Sequence, residues 1–176
     1  MLKRWKTLSS QILFKNPWWT YKLDVFEIPG GVRGEYNYVF THGSSLIVPV
    51  TDEGKIILVK QYRYLCNRES IEFPCGGVKE GKSYEEMAHI ELEEETGYRT
   101  PNLMLAGEFN PFNGVTSEIC RVYIARDLIR TIQKPDATEE FEVLHKSTDE
   151  IQSLIMSNQI WDGMTIAAWG LVHHKL

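Results

Sequence analysis

Residues 73–98 read FPCGGVKEGKSYEEMAHIELEEETGY. Ser83 is a good helix N-cap, and Glu86 three positions later completes a capping box. Gly97 is a good residue to stop the same helix. Set at about 100° per residue around the axis, Tyr84, Met87, Ala88 and Leu92 share one side. Glu85, Glu86, His89 and Glu93 share the other, as a solvated face should. Glu91 and Glu95 break the pattern by falling inside the apolar arc, with Glu94 on its edge. Their i, i+3, i+4 spacing aims three carboxylates at one patch. Like charges there repel, and burying them costs more. A divalent cation offsets both costs, and clustered hard oxygens suit Mg²⁺ or Mn²⁺. Gly76-Gly77, just before the helix, lets backbone approach a ligand closely.

The chain around this stretch has 176 residues, 43% hydrophobic and 24% charged, which fits a globular protein with a sizeable core. A net charge of −5 and the lack of a basic run argue against nucleic acid as a partner. Cys66, Cys75 and Cys120 are too few and too scattered for a disulfide framework or a zinc site. They fit reduced thiols in a cytoplasm. The first 19 residues hold basic positions but no apolar run with a small-residue cleavage site, so no signal peptide is expected. No apolar run reaches membrane-spanning length.

Residues 1–20 are an irregular opening broken at Asn16-Pro17. Residues 21–28 alternate through Leu23 and Val25 as a strand, Pro29-Gly30-Gly31 turns, and residues 35–41 return. The two make an N-terminal hairpin. Strands follow at 44–50, 55–62 and 70–73, with residues 67–69 as loop. After Gly97 come strands at 103–110, 119–125 and 140–145, with a connection over 127–136. Ser147 and Glu150 form a second capping box for a helix over 147–158. Asp162 starts a last helix that runs to His174. The order predicts an α+β fold, a mixed sheet sandwiched by helices.

The stretch resembles the Nudix box. Gly76, Glu91, Leu92, Glu94, Glu95, Gly97 and Tyr98 match it. Lys82 stands where the box has its early glutamate, and Ile90 where it has its arginine. The resemblance implies a Nudix-type α/β/α sandwich over residues 44–176, with the box at 76–98. Residues 1–43 then form an arm for dimerisation and a base pocket.

Further motifs resemble the ADP-ribose and nucleotide-sugar pyrophosphatase branch: KQYRY at 60–64, EFPCGG at 72–77, Pro111 with GVTSE at 114–118, and DGMTIAAWGLVHH at 162–174. The branch implies metal-dependent hydrolysis of a nucleoside diphosphate sugar. ADP-ribose comes first, and a GDP-mannose-type substrate stays open. The departures at Lys82 and Ile90 motivate a rival, a nucleotide-binding module that cleaves poorly. By the resemblance, the catalytic acids Glu91 and Glu95 are direct metal ligands, Glu94 is a ligand or orienter, and the main-chain carbonyl of Cys75 is a further candidate ligand. Arg63 grips phosphate, for which a guanidinium is suited. Glu118 places metal or substrate. Glu139 is the foremost candidate for general base, with Glu140 and Glu94 as alternatives, because the family position itself falls near Ala137. Trp19 and Tyr36 stack on the base, or the Trp18-Trp19 pair packs a dimer interface or the core. The branch implies a homodimer.

Overall fold

The computed structural model describes residues 2–176. Its first unit is an antiparallel three-stranded sheet, in the order β1 (Lys6–Lys15), β2 (Thr20–Glu27) and β3 (Arg33–Phe40). The expected hairpin is β2 with β3. β1 is an addition: the irregular opening is instead a ten-residue strand with every residue exposed. A strand that buries neither face carries no period-two apolar signal, so alternation does not reveal it. The sheet is tied to the body through Val39, whose N–H donates to the Val115 carbonyl at 2.9 Å.

The body begins with β4 (Ser44–Pro49), buried along its whole length. Buried on both faces, it reads as a continuous apolar run. β5 (Ile56–Arg63) and β6 (Arg68–Glu72) pair antiparallel. The predicted loop at 67–69 therefore ends early, and Arg68 and Glu69 already belong to a strand. β7 (Cys75–Gly77) leads into α1 (Tyr84–Thr96). Next come β8 (Tyr98–Arg99), β9 (Asn102–Phe109), β10 (Cys120–Arg126), β11 (Ile129–Arg130) and β12 (Glu142–Lys146). α2 (Thr148–Met156) and α3 (Gly163–Val172) close the chain. β11 pairs with β8, so part of the predicted connection is a two-residue strand.

The central sheet is mixed, in the order β7-β4-β10-β9. β10 lies parallel to β4, which brings Cys120 level with Ser44. A second sheet has the order β12-β5-β6. β4 divides the core. Ile47 faces α1, packing with Ala88, Leu92, Tyr123 and Ala125. Leu46, Val48 and Val50 face the other way. There they join Ile56 and Leu58 of β5, Phe73, and Ile151, Ala168 and Trp169 of α2 and α3. Helices thus cover both faces of the strands, the expected sandwich. Among the described residues no helix is long and apolar enough to cross a membrane.

Candidate active site

Both capping-box bonds form at the start of α1. Glu86 N–H donates to Ser83 Oγ at 3.1 Å, and Ser83 N–H donates to Glu86 Oε2 at 2.7 Å. Gly97 ends the helix at φ +71°, a left-handed conformation that suits glycine. The frame between them turns Glu95 inward, where it is 5% exposed, and leaves Glu91 half-buried. Glu95 Oε2 accepts the Cys75 N–H at 3.2 Å. The Glu91 carboxylate fills the space beside Gly76, where any Cβ would overlap it. The first glycine of the pair is therefore a cradle for an acid.

Burial raises the Glu91 carboxyl to about 7, and the neighbouring charge of Glu94 adds to the shift, while Lys79 opposes it. Burial likewise holds Glu95 well above the usual carboxylate range, reinforced by Glu91 and opposed by the Cys75 N–H. Among the described residues no lysine or arginine forms an ion pair with Glu91, Glu94 or Glu95. Ile90, at the arginine position of the box, supplies none. Two adjacent acids held in a poorly solvated pocket without a basic partner fit a hard divalent cation.

The expected convergence of all three acids is only partly met. Among the described residues no three acidic, histidine or cysteine side chains form a ready metal cage. Glu91 and Glu95 lie against β7. Glu94 is half-buried, acts on Glu91 through its charge, and offers its main-chain carbonyl to Lys134 N–H at 3.1 Å. The helix itself sets this limit. Consecutive residues leave the axis about 100° apart, so Glu94 and Glu95 do not both face β7.

A cleft of about 240 Å³ is lined by Arg63, Glu72, Cys75, Gly76, Glu118 and Asp162. Glu91, Glu94 and Glu95 do not line it themselves, but Glu91 and Glu95 back its wall through Gly76 and Cys75. Arg63 lies at the end of β5 and grips Glu72 at two points. Its Nε donates to Oε1 at 2.9 Å, and Nη2 donates to Oε2. Glu72 is buried and Arg63 is about half exposed, so one edge of the guanidinium is held while the rest faces the cleft. Glu118 Oε1 accepts the Ser44 hydroxyl at 2.7 Å. Asp162 caps α3 by accepting Thr165 N–H at 2.7 Å, and Thr165 Oγ1 accepts Phe73 N–H at 3.2 Å.

The aromatic expectations fare differently. Trp18 lines the cleft. Trp19 packs on Phe14, ring centres 5.6 Å apart, and Tyr36 donates its hydroxyl to the Gly114 carbonyl at 3.1 Å. Neither lines the cleft of its own chain. Asn16 Oδ1 accepts both Trp18 N–H and Trp19 N–H, and beyond this turn the two rings go to different settings, Trp18 to the cleft and Trp19 to Phe14. Glu139 sits outside the cleft in an exposed turn, where its N–H donates to the Asp136 carbonyl at 2.9 Å. Its charge still reaches Glu91 and Glu95. Glu72, Asp162 and His42 are cleft residues to which the sequence reading gave no part in the site. The signal for Glu72 was present, since it opens the EFPCGG segment.

The NUDIX domain profile matches residues 41–159. The chain belongs to the Nudix family. It is 32% identical over 165 residues to an ADP-ribose pyrophosphatase of Bacillus subtilis (strain 168), covering 93% of this chain and 89% of that protein. It is 28% identical, over the same shares of both chains, to a methanol dehydrogenase activator of Bacillus methanolicus. A crystal structure of an ADP compounds hydrolase superposes with a TM-score of 0.85 at 22% identity, covering 100% of this chain and 96% of that one, which shows a shared fold. Nudix hydrolases generally need a divalent cation, and Glu91 and Glu95 are acids whose setting fits one.

Proposed function

We propose that this Nudix hydrolase cleaves the pyrophosphate of a nucleoside diphosphate sugar, ADP-ribose first, into a nucleoside monophosphate and a sugar phosphate. The observation that carries this reading is the pair Glu91 and Glu95 packed against the β7 backbone beside the Arg63 edge of the cleft. Glu91 and Glu95 would hold the cation, Mg²⁺ or Mn²⁺, with the Cys75 carbonyl as a further donor and Glu94 as a ligand or orienter. When bound, such a cation would supply charge neutralisation and Lewis acidity at the pyrophosphate.

The chain's own groups do the rest. The free edge of Arg63 binds phosphate oxygens, and Glu72 fixes its orientation. Glu118 orients the bound nucleotide from the Ser44 side of the cleft. Glu139 takes a proton from the attacking water, with Glu140 and Glu94 as alternatives. Water oxygen bonds to phosphorus, the bridging P–O bond breaks, and its electron pair leaves with the departing phosphate.

The cleft is smaller than the 300 Å³ or so at which ligand pockets begin, so part of a nucleotide sugar lies beyond it. This supports a homodimer in which residues 1–43 of a second copy complete the base pocket around Trp19 and Tyr36. The exposed apolar side chains of that arm, Trp5, Ile12, Phe14 and Trp18, support the same arrangement. The three free cysteines suit the reducing cytoplasm.

Lys82 and Ile90 favour a second reading, a module that binds a nucleotide sugar and cleaves it poorly. A panel of nucleotide sugars with Mg²⁺ or Mn²⁺, scored for monophosphate products, decides. Turnover of ADP-ribose is the expected result. Binding without cleavage in either metal establishes the second reading.

A further inference from the structure

The last turn of a helix leaves carbonyls with no partner inside the helix. In α1 that turn also carries Glu94 and Glu95. A short piece of chain, residues 131–134, runs along it and takes up three carbonyls. Thr131 N–H donates to the Gly97 carbonyl at 2.7 Å, and Lys134 N–H donates to the Glu94 carbonyl at 3.1 Å. Between them the side-chain amide of Gln133 donates to the Glu95 carbonyl. The approach is close enough that a Cβ at Gly97 would meet Gln133 N at 3.0 Å. The next residues, 135–140, have no helix or strand and carry Asp136, Glu139 and Glu140. The charges of Asp136 and Glu139 reach Glu91, so this exposed turn lies within range of the site.

We propose that Gln133 is a positioning residue for the hydrolytic site: its side-chain bond to the Glu95 carbonyl holds the acid-bearing turn in register with the acids of α1. The two main-chain bonds can form with any residue at 133. The side-chain bond needs a long side chain with a donor at its end. It lands on the residue whose own carboxylate accepts Cys75 N–H at the cleft wall. Backbone drift here moves both sides of the site at once: Glu95 on the helix and Glu139 on the turn.

The inference rests on the hydrolase reading, and the test separates the two. Turnover of ADP-ribose with Mg²⁺ is compared in the full chain, in Gln133→Ala and in Gln133→Lys, with the melting temperature of each. Gln133→Ala is expected to lower kcat by about tenfold with KM little changed, as a small misplacement does. Gln133→Lys restores most of the rate, because an ammonium donates well to helix C-terminal carbonyls. A lower melting temperature in Gln133→Ala with wild-type kcat overturns the proposal, and so does a rate that lysine fails to restore. If the wild-type chain turns over nothing, the hydrolase reading fails by itself. Amide hydrogen exchange over 134–140 then decides: faster exchange in Gln133→Ala supports the anchoring role, and unchanged exchange removes it.

Discussion

At the scale of single residues, the proposed chemistry depends on Glu91 and Glu95 occupying places that water reaches poorly. Glu95→Gln keeps the size and the Cys75 hydrogen-bond acceptor but removes the charge. Turnover of ADP-ribose is expected to fall by about two orders of magnitude or more, with circular dichroism unchanged. Wild-type turnover in that variant would remove Glu95 from the machinery. Glu91 has a further consequence for stability. Its carboxyl titrates at about 7 in the folded chain against an ordinary 4.5, so the folded state holds its proton more tightly. The resulting stability is fully present below about pH 4.5 and is lost as pH rises through 7, a loss on the order of 3 kcal/mol. Glu95 acts in the same direction. Without divalent cation, the melting temperature is expected to drop as pH rises from about 5 to about 8, and millimolar Mg²⁺ is expected to reverse the drop at the upper end. A melting temperature that ignores Mg²⁺ there would count against a cation between these acids.

At the scale of elements, α1 is the best specified piece. Ser83→Ala removes one capping bond and is expected to cost about 1 kcal/mol, seen as a melting temperature lower by roughly 2–4 °C. No change in melting temperature would mean that the cap is dispensable. This helix was legible because its signals are local: the cap, the stop and the apolar arc all lie within one short segment. β4 was legible for a different reason, since burial on both faces leaves an unbroken apolar run. β1 was hidden because all ten of its residues are exposed, and periodicity reports burial rather than strand geometry. The Arg63–Glu72 pair was half legible. Both residues stand in quoted motifs, but only the antiparallel pairing of β5 with β6 puts their side chains within reach. The different settings of Trp18 and Trp19 were not legible at all, because one depends on the segments that build the cleft and the other on packing against Phe14.

At the scale of the whole molecule, the N-terminal sheet is more than the core needs. Ile12 is 59% exposed on β1, and in the proposed homodimer it and the neighbouring exposed apolar side chains would be the surface a second copy covers. Ile12→Asp is expected to halve the mass measured by light scattering and to weaken ADP-ribose binding, with the fold of residues 44–176 kept. A wild-type chain that is already monomeric at micromolar concentration would defeat the homodimer.

The register of β4 beside β10 joins segments far apart in the chain, and the bond from Phe73 N–H to Thr165 Oγ1 spans 92 positions. Contacts that distant form late, after a large loop has been closed. A nascent chain leaving the ribosome therefore has all the residues of its glutamate helix well before it can finish the cleft. A chain cut ahead of the final helix lacks Asp162 and Thr165, and with them one wall of the cleft, so it is expected to lose most of its hold on ADP-ribose.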